Sequence, residues 1–423
     1  MPRKEKKDWQ PHPTRFRLEG ADGSLARFYP PRPNRFWDTL LKPIRRYYAR
    51  RNWRVVEVET EGMEAAFECF GKRDGVLIAP NHSHEGDAHG LIEATRGDRR
   101  RVYFMAAWEA FRGHWGLDGW LLARMGAFSV DREGVDRRAV RQATELLATG
   151  NSLVVFPEGE IHHLNQRLKP LLDGIAFMAM NAQREVEKAD SDARVWILPA
   201  AIQYRLAEDR EEIERSLDAA MTRLEARMAW IKSPRGAPLG ERIVRFGEML
   251  LTLKEKEKLG GSREGEGDLA ARVAHLSESL LERYEGEYLK GGTGTKSTKS
   301  LPLRVKALRR CLLDVWSDDS AEDEARARAR DALDDVQLAL QLSSYPGDYI
   351  TEKPTRERMA ETIEKFEEDI FGFARSIGRR RARVLFGKPV DMKAERGAGR
   401  PRAVVAGVTD RLEQAIRELM AQG

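Results

Sequence analysis

Residues 79–90, APNHSHEGDAHG, hold His82, His84, His89, Glu85 and Asp87 in one short stretch. Two chemistries compete for such a cluster. In the first, the three histidines bind a metal, with His162 or His163 as a further ligand, and the protein is a metal-dependent hydrolase. A His-x-His-x-Asp-His run is the pattern of such sites, but here the run is His-x-His-x-x-Asp-x-His. An extra residue on each side of the aspartate is a large change where ligands must close a tight tetrahedron. In the second, His82 and Asp87 form a metal-free dyad. On one continuous helix, five residues would turn the two side chains about 140° apart, so the chain must turn between them, and Gly86 permits that. An aspartate at a helix start is stabilised as the anion by free N–H groups. It can fix an imidazole tautomer and leave the other ring nitrogen as a base. That base suits taking a proton from a hydroxyl that then attacks an acyl group. No serine or cysteine stands out as a nucleophile, so the hydroxyl belongs to the substrate.

Elements must carry these residues to one place. The runs WRVVEVE, GVLIAP, RVYFMA, GAFSV, SLVVFP and RVWILPAAIQY read as strands, with helices near 88–95, 108–124, 134–149 and 173–186 between them. This alternation predicts an α/β layer structure with its chemistry at the loops leaving the strands. Ahead of it, residues 1–33 read as a basic, proline-containing tail. Residues 34–52 read as a helix capped by Asn34, with Phe36, Trp37, Leu40, Leu41, Ile44, Tyr47 and Tyr48 at helical spacing. Such a basic, aromatic-edged helix could dock on the core, lie on anionic lipid, or do both. From 207 to 379 the pattern is helical, in five segments: 207–231, 240–259, 268–289, 301–316 and 355–377. Strand character returns in RARVLFGKPVDM, and an amphipathic helix closes the chain over 401–422. The domains expected are therefore 34–206 and 380–423 as one α/β body, interrupted by a helical insertion at 207–379.

The charge balance, 73 Lys and Arg against 68 Asp and Glu, is close to even and argues against a nucleic-acid partner. Cys69 and Cys311 fit no zinc or disulfide pattern and read as reduced, mostly buried thiols. No apolar run approaches a membrane span, and MPRKEKKDWQ lacks a signal-peptide core. The expected location is the cytoplasm, peripheral on the inner face of the membrane.

The stretch NHSHEGD resembles the Asn-His-x4-Asp motif of the glycerophospholipid acyltransferases, the family of the 1-acylglycerol-3-phosphate acyltransferases. Three further blocks follow in that family's order: GAFSVDR ending at Arg132, VVFPEGE around Glu158 and Gly159, and ILPAAIQY around Pro199. LKPLLDGIAFMAM matches the helix start after the third block, and VLFGKPVDM is similar to a strand that normally follows the fourth much sooner. The resemblance covers roughly residues 50–205. It implies a mixed sheet flanked by helices, glycerol-3-phosphate acyltransferase-like, and transfer of a fatty acyl group from acyl-CoA or an acyl-carrier protein to a lysolipid hydroxyl. By that resemblance His82 is the base and Asp87 orients it. Arg132 holds an acceptor phosphate, and Glu158 and the Gly159 backbone position the head group. The family's third block continues Thr-Arg-Ser, whereas Glu160, Ile161 and His162 stand here, so phosphate binding passes to His162, His163, Arg167 or Lys169. No cofactor beyond the donor thioester is implied.

Overall fold

The computed structural model describes residues 28–422, apart from 98–99, 113–116, 133–135, 190–191, 230–233, 235, 264, 266, 290–300, 319, 397–398 and the side chains of Arg35 and Asp38. The described chain forms two compact units. One runs up to Glu208 and resumes at Gly378; the other is Asp209–Ile377.

The first unit begins with α1 (Arg35–Asn52), whose first turn is capped by the Asn34 side chain accepting from Phe36 N. Then follow β1 (Val55–Glu61), α2 (Met63–Glu68), β2 (Gly75–Pro80), α3 (Asp87–Ala94) and β3 (Val102–Ala107). A 3-10 turn at Trp108–Phe111 leads towards α4 (Leu117–Arg124), β4 (Ala127–Val130), α5 (Arg137–Ala148), β5 (Ser152–Val154), α6 (Gly174–Ala189) and β6 (Val195–Leu206). After the second unit come β7 (Arg380–Phe386), β8 (Val390–Asp391), α14 (Met392–Arg396) and α15 (Pro401–Met420).

Among the described residues these strands form one eight-stranded sheet in the order β1-β7-β6-β2-β5-β3-β4, with β8 paired to β6. β2, β5, β3 and β4 are parallel neighbours, and β2 is also parallel to β6. β7 lies antiparallel to β6 and parallel to β1. The mixed α/β sheet flanked by helices is thus the architecture the sequence led us to expect. β2 is buried along its whole length, which is why GVLIAP is an unbroken apolar run instead of an alternating one. Its side chains divide by parity. Leu77 and Ala79 join the core under α5, α6 and α15, while Val76 and Ile78 join the core under α2 and α3.

The second unit is helical: α7 (Arg210–Arg227), α8 (Leu239–Leu259), α9 (Leu269–Tyr288), α10 (Leu301–Trp316), α11 (Asp323–Leu342), α12 (Tyr349–Glu352) and α13 (Arg356–Phe371). Its main core draws Leu276 and Leu280 from α9, Leu308 and Leu312 from α10, and Leu333 and Val336 from α11. Within it Arg272 and Glu255, both buried, form an ion pair at 2.7 Å that Thr252 and Arg263 N complete by hydrogen bonds. A buried charge is tolerable only when paired in this way.

Four expectations need correction. α11 and α12 lie outside the five helical segments predicted; the buried stripe of α11 includes the small side chains of Ala329, Ala332 and Ala339 and the charged Asp335, which weakens its contrast with the exposed face. The helix expected over 108–124 is divided into the 3-10 turn and α4. Residues 28–33 are not tail: Tyr29 N donates to Ser129 Oγ at 2.7 Å, Ser129 N donates back to Tyr29 O at 3.0 Å, and Arg32 N donates to Ala123 O. The remainder of the predicted tail, 1–27, lies outside the described residues. Cys69, expected to be buried, is exposed.

Candidate active site

β2 ends at Pro80, and the chain must then leave the sheet without abandoning its hydrogen bonds. Asn81 solves this with its side chain. Its Nδ2 donates to Ile202 O at 3.0 Å and its Oδ1 accepts from Ile202 N at 2.6 Å, extending the β2–β6 ladder by one amide. Asn165 makes the same pair of bonds with Tyr204 N and O, both at 2.7 Å. Two loops are thereby fastened to β6, and the site lies between them.

In the first loop, Asp87 N donates to His84 O at 3.0 Å, closing a tight turn immediately before α3. The turn brings Asp87 back to His82. Gly86 has φ −76°, open to any residue, so the glycine supplies room instead of conformational freedom. A Cβ there would meet His84 Nδ1 at 3.0 Å and Val55 Cγ2 at 3.2 Å. Asp87 is fully buried at the first position of α3. Its Oδ2 accepts from Ser83 N at 2.8 Å, His84 N at 3.0 Å and His82 Nδ1 at 2.9 Å. Its Oδ1 accepts from the Tyr204 hydroxyl at 2.7 Å. Burial, reinforced by the charge of Asp87, holds the Tyr204 phenol well above its ordinary range, so it remains a donor. Because a carboxylate only accepts, His82 carries its proton on Nδ1 and leaves the Nε2 lone pair free of that bond. The imidazole is partly exposed and stacks on Phe156, with ring centroids 3.8 Å apart and 17° between planes.

The second loop, which follows β5, supports the first. Glu158 Oε1 accepts from His82 N at 2.7 Å and Oε2 accepts from Lys169 N at 3.0 Å. Burial pushes the Glu158 carboxyl up to about 7, against the pull of the two backbone donors. Its side chain is 4% exposed. Glu158 thus faces inward and clamps the backbone of His82. Gly159 takes φ +80°, a left-handed conformation that side chains resist, and its N–H closes a turn on Phe156 O. His162 is likewise buried, and its N–H donates to His82 O at 3.3 Å. Its neighbour His163 is more open and stands 3.6 Å from Glu85. Arg167 lies half-buried in the same loop. Arg132, just beyond β4, reaches this loop: its Nη1 donates to Glu160 Oε2 at 2.7 Å, and its Nη2 lies 3.4 Å from Glu109 Oε1.

The remaining two histidines face elsewhere. His84 Nδ1 accepts from Gly86 N at 2.9 Å, and its Nε2 lies 2.8 Å from Arg380 Nη1 on β7. His89 lies under α1, with Nδ1 3.3 Å from Arg45 Nη1 and its ring near Trp53. Burial depresses both imidazoles to about 4, aided by the neighbouring arginine in each case. The cluster is therefore divided among three environments. Among the described residues no group of three or more His, Cys, Asp or Glu side chains is placed to hold a metal ion.

Sequence reasoning missed four contributors: Tyr204, Phe156, Asn165 and Arg380. For Tyr204 a signal existed. It ends ILPAAIQY two residues after Ile202, hence on the same face of β6, and a buried phenol there needs a partner. Nothing local marked Arg380, which lies 296 residues from His84.

Residues 57–203 match the family model described as Acyltransferase. That span runs from within β1 to Gln203 on β6, one residue short of Tyr204, and includes both loops. No curated protein matches the chain.

Proposed function

We propose, on the premise that this chain belongs to the acyltransferase family through residues 57–203, that it moves a fatty acyl group from a thioester donor to a lipid hydroxyl. The donor is acyl-CoA or an acyl-carrier protein, and the acceptor is a lysophospholipid or related lipid alcohol. The observation that carries this reading is the His82–Asp87 pair, with Asp87 buried under four hydrogen bonds and His82 partly open.

In the proposed reaction Nε2 of His82 takes the acceptor's hydroxyl proton as its oxygen attacks the thioester carbonyl. The C–O bond forms, the C–S bond breaks, and the thiolate leaves with that proton. Asp87 keeps the imidazole in the Nδ1–H tautomer and stabilises the imidazolium between the two steps. Glu158, Phe156 and Tyr204 act as positioning residues, since each holds His82 or Asp87 without lying at the reacting atoms.

Access to lipid fits the surface of α1. Phe36, Leu40, Ile44, Tyr47 and Tyr48 are all exposed on one face of that helix, where Arg50 and Arg51 also reach solvent. The apolar surface continues to Leu117 and Trp120 of α4, through the contact of Trp120 with Trp37 at 4.8 Å between ring centroids. No described helix is long and apolar enough to cross a membrane, so α1 is proposed to lie in the interface plane.

The test is thioester-dependent acylation of a lysolipid panel by the full chain, with products identified by mass spectrometry. Acyl transfer is expected with wild type and should fall by roughly 100-fold or more in His82→Ala, the scale of a lost general base. Activity surviving that substitution would remove His82 from the proposal.

A further inference from the structure

Arg132 is the cationic side chain that the structure brings to the loop of Glu158, and it does not come alone. Its guanidinium is shared between Glu160, at 2.7 Å, and Glu109, at 3.4 Å. Glu160 is two residues from Glu158, whose carboxylate bonds His82 N, so this triad borders the dyad's own support. None of the three is sealed off: the side chains of Arg132 and Glu160 are each 32% exposed and that of Glu109 is 45% exposed. On this side of the loop the Arg132 guanidinium is set against two carboxylates.

We infer that Glu160 sets acceptor choice, turning the Arg132 subsite away from phosphate monoesters and towards lipid alcohols whose head group has no net negative charge. This rests on the acyl-transfer reading. A phosphate monoester carries about −1.5 to −2 near neutral pH and seeks the guanidinium fork. To reach it the monoester must displace Glu160 from Nη1 and then lie against two carboxylates. A glycerol hydroxyl needs no such exchange, because it can donate to Glu160 while the ion pair stays closed. A zwitterionic head can set its ammonium against Glu160 or Glu109 and is not repelled as a whole.

Two measurements on the full chain test this. In the first, glycerol 3-phosphate is titrated into wild type, Glu160→Gln and the double variant Glu160→Gln with Arg132→Ala, with heat or chemical shift as readout. Glu160→Gln should bind about two- to fivefold more tightly than wild type, the scale of one solvent-screened charge pair, and the second substitution should abolish the gain. Equal binding by wild type and Glu160→Gln, or a gain that survives loss of Arg132, would overturn the assignment. In the second, kcat/KM is compared for monoacylglycerol, lysophosphatidylcholine and lysophosphatidate. Wild type should favour the first two, and the preference should shrink by about two- to fivefold in Glu160→Gln. A wild-type preference for lysophosphatidate would also overturn it. If wild type acylates none of the three, the acyl-transfer reading fails, while the glycerol 3-phosphate titration still decides the role of Glu160.

Discussion

Three histidines leave one loop and enter three chemical situations. His82 faces a buried carboxylate and is partly open, while His84 and His89 are enclosed beside arginines and pushed down to about 4 by burial. The enclosed pair gives a pH prediction. Between about 6.5, the ordinary imidazole value, and 4, the unfolded chain binds protons at these two sites that the folded chain refuses. Stability they contribute is complete above that interval and is lost as pH falls through it. Glu158, raised to about 7, works in the opposite sense. From the usual carboxyl range up to 7 the folded chain keeps a proton the unfolded chain has released, and this contribution wanes as pH rises. The comparison must therefore be variant against wild type. His89→Asn should lose less of its urea midpoint between pH 7 and pH 5 than wild type does, and parallel losses would exclude His89 from the acid response.

At the scale of elements, what the sequence announced was whatever could be read locally. GVLIAP is a buried strand because both its faces are covered, and the turn that brings Asp87 back to His82 was legible because a helix start and a turn both fall within APNHSHEGDAHG. What it concealed was long-range. Tyr204 reaches Asp87 across 117 positions, and the inward turn of Glu158 depends on backbone donors at His82 and Lys169. A carboxylate in a motif has no local sign of which way it points. α1 was legible in its cap and period, but only the structure separates its two faces. Ala49 and Arg45 turn inward, Arg45 onto Glu93, while Phe36, Ile44 and Tyr47 turn out. Replacing those three with serine should leave the fold intact and lower binding to phosphatidylglycerol vesicles by about tenfold or more, since each large apolar side chain buried is worth about 1.5–3 kcal/mol. Sedimentation with vesicles measures it, and unchanged binding would place any lipid contact elsewhere.

For the whole molecule, the helical unit enters and leaves the α/β unit at a single place. β6 and β7 are antiparallel, Leu206 is paired with Arg380, and Ala207 N donates to Arg379 O at 2.8 Å. Glu208 accepts from Arg379 N at 2.6 Å across the same gap. These two strand ends lie as close as those of a hairpin. Replacing residues 209–377 by a short Asn-Gly-containing turn should therefore give a soluble protein that unfolds in one cooperative step. Scanning calorimetry and circular dichroism would check it, and an unfolded product would show that the α/β unit depends on its partner for stability. The same junction bears on how the protein is made. β7 lies between β1 and β6, and among the described strands it is the only one that pairs with β1. A ribosome adding about 5–20 residues per second spends roughly ten to thirty seconds on 209–377 before β7 exists. Throughout that time β1 is an open edge, Arg380 has yet to reach His84, and the nascent sheet offers strand partners to any neighbouring chain. Newly made copies are most exposed to misassembly and to chaperone capture during this synthesis interval, before β7 completes the sheet.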